Sequence, residues 1–388
     1  MMWSSVKIGD IASMKYGRLP PAEVSSEGYP IFTGYRIAGF SNEYLYDEPQ
    51  VVVVARGVGG TGDVKLSPEK SWITNLSIVL SVNAERVDKR FLLYRLEIEP
   101  LKEKLNTGAA QAQITIENLS SYLITIPKLE TQQEIAETVR TYDELIENNR
   151  RRMGLFEEGA RLLYQEWFVR RRFPGHEHST IIDRIPKGWQ DWCVSNFGRV
   201  ITGKTPSTKM QDNYGEGVPF IKTPDMHGNV YVLQTESSLT EKGASTQPGK
   251  FIPENTLLIS CIGTIGVLSL TSERSQFNQQ INAVVPFDPS YRYYCFYAFK
   301  DLKEQMEAIG GGATMGNVNK TKFESLKILK PPTSLIREFN DICDPMFQQI
   351  LILSRQNLKL RAARDLLLPR LMSGEIELST VARTSSWN

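Results

Sequence analysis

Gly57-Val-Gly59-Gly-Thr-Gly62, directly after the apolar run Val51–Val54, is the segment whose spacing comes nearest to a phosphate cradle. A dinucleotide fold places a helix right behind such glycines, so that its N-terminus receives the pyrophosphate. Residues 63–70 are too short for that and are broken by Pro68, and the second occurrence, Cys261-Ile-Gly263-Thr-Ile-Gly266, lacks the first glycine. Both segments read as tight turns that need unusual backbone angles. His176 and His178 flank Glu177 in a stretch rich in Pro and Gly, and His227 stands alone, so no metal site is expected. There is no G-x-x-x-x-G-K-[ST] loop, no Ser or Cys in a nucleophile's setting, and no repeated carboxylate pair fit for acid and base work. Cys193, Cys261, Cys295 and Cys343 show no C-x-x-C spacing and are expected as free, reduced thiols. Catalytic, cofactor and metal residues are therefore expected to be absent, and binding is the expected activity.

The side chains that read base edges are present in quantity. Arg, Lys, Asn and Gln match the donor and acceptor patterns of the grooves. Candidates are Arg18, Tyr35, Arg36, Arg56, Gln111 and Gln113, then Lys204, Lys222, Asn317, Asn319, Lys320 and Lys322. Any soluble surface carries such residues, so their meaning depends on the elements that hold them.

Those elements occur twice. Trp3, Ile8, Asp10, Ile11, Gly17 and Arg18 return 186 positions later as Trp189, Val194, Asn196, Phe197, Gly203 and Lys204. Pro30-Ile-Phe32 returns as Pro219-Phe-Ile221 at an offset of 189, and from Val54 onward the offset is 204, matching Gly62 to Gly266 and Pro127 to Pro331. A two-fold repeat implies two similar domains, related by a pseudo-two-fold axis. Residues 33–50 and 222–249 share almost nothing, which is the pattern of one frame carrying two different readers.

Short Val-, Ile- and Thr-rich runs bounded by turn residues, at Val51–Val54, 78–80 and Leu123–Ile126, read as strands. Residues 89–105 and 293–308 read as amphipathic helices, so each copy is expected to be a mixed α+β domain. After Pro127 the period changes. Ile135, Val139, Tyr142, Ile146, Asn149, Met153, Phe156, Ala160, Leu163 and Trp167 alternate spacings of four and three, and the same ten positions displaced by 204 run from Phe339 to Leu371. This is a heptad seam, roughly 50 Å long at the helical rise. Two such seams are expected to pair as an antiparallel coiled coil with one domain at each end. Asn149 and Asn357 would then oppose each other and fix register. Pro345 leaves a second arrangement open, in which the later helix begins there and Asn149 faces Arg364.

With 388 residues, 41% apolar and 23% charged, the chain has the make-up of a soluble protein of two or more domains. No apolar run reaches eighteen residues and no signal peptide is seen, so a cytoplasmic location and no membrane are expected. The net charge of +1 decides nothing about nucleic acid. Basic clusters at residues 150–152 and 170–172, beside an acidic stretch at 130–147, fit solvated helix faces, phosphate contacts or an acidic partner.

The order of these features resembles the specificity subunits of type I restriction-modification systems over nearly the whole chain. The resemblance is carried by residues 108–114 (Gly-Ala-Ala-Gln-Ala-Gln-Ile), Ile126-Pro127 with the long helix behind, Trp167-Phe168, Phe173-Pro-Gly-His176, Pro186-Lys-Gly-Trp189, Gly312-Ala313, Pro331-Pro332 and Leu368-Pro-Arg-Leu-Met-Ser-Gly374. It implies target recognition domains at residues 1–130 and 189–333, long helices at 131–172 and 334–375, a linker at 173–188 and a tail at 376–388. It further implies a non-catalytic subunit that reads a bipartite double-stranded DNA sequence in host defence, the coil setting the spacer. The implied partners are two modification subunits, which hold S-adenosylmethionine and methylate adenine, and two restriction subunits that use ATP and Mg. Two other classes stay open on the residues alone: an adaptor whose domains bind only protein, and an enzyme with a hidden site.

Overall fold

The computed structural model describes residues 3–57, 60–108, 112–183, 185–310 and 316–378. It divides into two compact units, Met1–Ile146 with Lys359–Asn388 and Glu147–Leu358. Leu129–Tyr164 and Thr333–Ser373 are helices of 36 and 41 residues, and each unit takes one part of each.

In the first unit a four-stranded antiparallel sheet runs in the order Ala12–Tyr16, Ser77–Val82, Val51–Val54, Val64–Leu66. Every residue of Val51–Val54 is buried because both faces of the strand are covered. With the period of two, Val51 and Val53 enter the core beneath the helix Lys89–Glu97, and Val52 enters a smaller core with Phe32, Ile73 and Val79. Tyr29–Phe32 pairs antiparallel with Ile37–Ser41 and parallel with Trp72–Ile73. A third pair, Ser4–Lys7 with Leu123–Ile126, joins the start of the unit to the strand that leads into the long helix. Gln132 fastens that helix: its side chain accepts from the Asp88 N–H at 3.0 Å and donates to the Pro127 carbonyl at 2.9 Å.

The second unit repeats this plan. Its main sheet runs Gly198–Thr202, Ile281–Pro286, Leu257–Ser260, Leu268–Thr271, Tyr231–Val232, and its two-stranded pair is Gln190–Cys193 with Lys327–Lys330. The fifth strand is new. It comes from an excursion at residues 222–236, placed where the first unit makes only a tight hairpin between Phe32 and Ile37. The divergence between residues 33–50 and 222–249 is thus a difference of structure as well as of side chains.

Strand register and helix boundaries correct three sequence expectations. Val51 faces Leu80 while Leu257 faces Val284, so these strands correspond at an offset of 206; the offset of 204 applies only from Gly62, and the glycine turn is two residues shorter in the second copy. The helix expected at 89–105 is two, Lys89–Glu97 and Leu101–Leu105, because Pro100 has no N–H to continue it. The residues expected as an amphipathic helix at 293–308 also form two helices, Tyr291–Asp301 and Lys303–Ile309, and the first of them, with Lys89–Glu97, is buried almost all round. Each is wedged between its sheet and its long-helix segments, and so lacks a polar face.

Pro345 does not start the second long helix, which runs through it; Pro345 is exposed, so the acceptor it leaves free can be met by water while Cys343 and Phe347 anchor the turn. Residues 173–187, expected as a plain linker, carry structure of their own. Phe173 is buried against Trp189 with ring centroids 5.7 Å apart, and Ile181–Ile182 pairs with Ile185–Pro186. The tail at 379–388, read as lacking periodicity, lies outside the described residues.

The seam residues are buried or half-buried. Within the second unit the Asn149 amide donates to the Asn357 side-chain oxygen at 2.9 Å, away from solvent. In the first unit Arg364 pairs with Asp143 at 2.6 Å, and the Tyr94 hydroxyl donates to the same carboxylate at 2.7 Å. Arg364 therefore does not face Asn149. Asn357→Ala removes the Asn149 partner and is expected to cost about 1–3 kcal/mol, whereas Leu at both positions restores most of that loss. Urea denaturation of the three chains measures the difference. A double variant no more stable than the single would show that the amide pair is not the reason.

Candidate nucleic-acid interface

Chain segments distant in sequence meet at the end of the first unit's main sheet, all bonded to residues 73–77. The Arg18 N–H donates to the Ile73 carbonyl at 3.0 Å, and the Asn75 N–H donates to the Arg18 carbonyl at 2.9 Å. Ala55 and Arg56 both donate to the Leu76 carbonyl, at 2.8 and 3.3 Å, and the Ser77 hydroxyl donates to the Thr33 carbonyl at 2.9 Å. Thr33 closes a turn by donating to the Arg36 carbonyl, which lifts Tyr35 and Arg36 outward. Gln113 forms a bridge with Arg56.

Arg18, Tyr35, Arg36, Arg56 and Gln113 are thereby brought to one edge, and Gln111 lies outside the described residues. The three arginines are exposed. One Arg56 Nη donates to the Asn75 carbonyl at 3.4 Å, and the Arg36 guanidinium stands 5.8 Å from the Tyr35 ring centre. Among the described residues none of the three has a carboxylate partner. A Cβ on Gly57 or Gly60 would come within 3.9 Å of the Tyr35 ring, so the glycine turn supports it closely. A strand, Val64–Leu66, and not a helix follows that turn in the chain, and Gly62 packs against the first turn of the short helix Leu101–Leu105, where a Cβ would lie 2.8 Å from the Lys102 nitrogen. Val58 and Gly59 lie outside the described residues.

The second unit builds the same edge from other side chains. Lys204 donates from its N–H to the Phe277 carbonyl at 3.0 Å, Cys261 to the Gln280 carbonyl at 2.7 Å, and Asn317 bridges Ile262. Thr205 is hydrogen-bonded to the Gln279 side chain, and Gln247 donates to the Lys204 carbonyl at 2.8 Å.

Of the candidates in this unit, Lys204 and Asn317 meet at the edge. The others have local duties. Lys222 Nζ pairs with Glu236 at 3.2 Å and with the Ser237 hydroxyl at 2.7 Å. Asn319 caps the short helix Lys320–Glu324 by accepting from the Lys322 N–H, as Thr115 caps Ile116–Ser121 in the first unit. Lys320 pairs with Glu324 at 3.4 Å, and Lys322 Nζ donates to the Ile309 carbonyl at 2.9 Å. The residues missed in the sequence are Asn75, Thr205, Ile262 and Gln279. Asn75 and Gln279 are equivalent at the 204-residue offset, but residues 72–80 and 276–284 share no identical residue, so the repeat gave no signal for them.

Burial pushes the Cys261 thiol up to about 12, the Cys343 thiol likewise to about 12, and that of Cys295 well above the usual thiol range, so these three stay protonated. Among the described residues no three His, Cys, Asp or Glu side chains gather to hold a metal, and no helix is long and apolar enough to cross a membrane.

The sequence matches the family described as type I restriction modification DNA specificity domain over residues 2–153 and 186–360. It is 31% identical to the HindI specificity subunit of Haemophilus influenzae over 326 residues, 68% of this chain and 71% of that protein. It is 23% identical to the putative MjaX specificity subunit of Methanocaldococcus jannaschii, over 78% of this chain and 72% of that one. The fold is similar to the crystal structure of a type I restriction-modification S subunit from M. genitalium, with a TM-score of 0.66, 18% identity and coverage of 95% and 96% of the two chains.

Proposed function

Because the chain belongs to the family of type I restriction-modification DNA specificity domains, we propose that each unit reads one half of a bipartite duplex sequence while the long helices set the spacing between halves. The observation that carries this is the pair of equivalent edges: one frame of main-chain hydrogen bonds presents Arg18, Arg56 and Gln113 in one unit and Lys204, Ile262 and Asn317 in the other. Such side chains specify bases by donor and acceptor pattern, and half-sites read from one face of B-DNA lie about one helical turn apart.

The chain itself supplies no chemistry in this proposal. Modification subunits bring S-adenosylmethionine, and restriction subunits, where present, bring ATP and Mg. An adenine must leave the stack to be methylated, so the specificity subunit holds the duplex in register while its neighbour reacts. Leu155 and Leu162 on the first long helix, and Val169 at the end of the π-helical turn Gln165–Val169 that continues it, stay exposed at seven-residue spacing and offer partners an apolar stripe.

Co-expression with a modification partner is expected to yield adenine methylation at one split motif. A complex that assembles but binds all duplexes alike would favour the adaptor reading instead.

A further inference from the structure

We infer that the two half-sites differ in a set direction: the half read by the first unit is built on guanine, and the half read by the second on A·T pairs. This deepens the proposed function and rests on its reading of the two edges as base readers.

Main-chain bonds establish which residues are equivalent. Ala55 donates to Leu76 and accepts from Ile114, as Cys261 donates to Gln280 and accepts from Val318. Arg56 therefore corresponds to Ile262, and the bridges Arg56 to Gln113 and Ile262 to Asn317 agree. Arg18 corresponds to Lys204, since each donates to the last residue of the neighbouring strand, Ile73 or Phe277. Both edges carry two amides, Asn75 and Gln113 in the first and Gln279 and Asn317 in the second; the difference is that the first adds the guanidiniums of Arg18, Arg36 and Arg56, whereas the second adds the Lys204 ammonium and Ile262.

The chemistry of these groups is selective. A guanidinium offers two parallel N–H donors, which match guanine O6 and N7, both acceptors. Adenine places a donor where guanine has O6, so one N–H would meet another. Arg56 is already oriented by its bond to the Asn75 carbonyl, with its other donors left over, and Arg36 is steadied over the Tyr35 ring. On the second edge Asn317 carries the donor and acceptor pair that suits adenine N7 and N6, while the Gln279 oxygen is taken by the Thr205 hydroxyl, and Ile262 suits the thymine methyl. The same arginines could instead bind phosphate, a use that weakens all sites alike and specifies none.

The test maps methylated adenines in cells carrying the full chain with its modification partner, for the native chain and for Arg18→Ala, Arg36→Ala and Arg56→Ala. The expected motif is split, and the half altered by the variants has guanine on either strand at two or more positions. Each variant that reads a base relaxes one guanine position by about 5- to 150-fold and leaves the other half intact. Arg56→Gln is expected to shift its position from guanine toward adenine, a gain that failed folding does not produce. A first half with fewer than two guanines, or variants that lower methylation evenly at every site, would overturn the inference while leaving the split motif standing. An unsplit motif would overturn the proposed function, and this inference with it.

Discussion

Replacing Phe347 by alanine is expected to destabilise the second unit by about 3–5 kcal/mol, the usual cost of emptying a buried phenylalanine site. Phe347 is fully buried on the second long helix. Its ring stacks on Tyr293 with centroids 4.2 Å apart, and Phe296 and Tyr297 meet it edge-on at 5.4 and 6.1 Å. These three belong to the helix Tyr291–Asp301, so the side chain joins the recognition sheet's own helix to the long helix. The site cannot collapse easily, because Tyr293 is also held by its hydroxyl, which donates to Asp344 at 2.7 Å. The first unit's core contains none of these residues. Denaturant unfolding combined with hydrogen exchange on the full chain should show lost protection in residues 147–358 and little change in residues 3–146. A loss below about 1 kcal/mol, or equal loss in both units, would contradict this account.

Alanine at Gly203 is expected to be nearly as damaging, for a steric reason. A Cβ there would lie 2.0 Å from the Asn278 carbonyl oxygen and 2.5 Å from that of Phe277, and one at Gly17 would lie 2.2 Å from the Thr74 oxygen and 2.4 Å from that of Ile73. Only backbone can move aside, and moving it breaks the bonds from Gly203 to Ile281 and from Lys204 to Phe277, 3.1 and 3.0 Å long. About 3 kcal/mol is the expected cost, concentrated at this edge of the sheet. Sequence-selective binding should fall together with thermal stability. Gly154→Ala serves as the control, since a Cβ there meets nothing within 4 Å, and in a helix the change should stabilise by about 0.5–1 kcal/mol. A Gly203→Ala chain as stable as the native one would refute the close-approach argument.

What could be read without a structure was whatever has a period or a copy. The seam from Ile135 to Trp167 shows itself through its spacing, and comparing two copies of it located Asn149 opposite Asn357, 2.9 Å apart in the structure. The buried valines of Val51–Val54 were legible for the same reason. The edge itself was not, because it is assembled by non-local bonds. Nothing in the order of residues tells that Asn75 lies between Arg18 and Arg56, or that Ser77 reaches the Thr33 carbonyl. Short-range duties were hidden as well: the Asn319 side chain accepts from the Lys322 N–H and so caps a helix. The two-residue contraction of the glycine turn escaped because Gly62 and Gly266 realign immediately afterwards, and only the strand register exposes it.

The same repeated position can also carry opposite chemistry, which a pattern of apolar residues does not foretell. Asp143 and Phe347 are 204 residues apart and equivalent. One binds Arg364 and Tyr94, while the other fills an aromatic core. The frame is duplicated, and its contents are not.

The proposed function requires two separable readers on that frame. It is tested most directly by exchanging residues 1–127 for the corresponding segment of a specificity subunit with a different target, then mapping methylated adenines with the same modification partner. The predicted result is a motif in which one half is new while the other half and the spacing are retained. A motif altered in both halves, or unaltered in either, would contradict it.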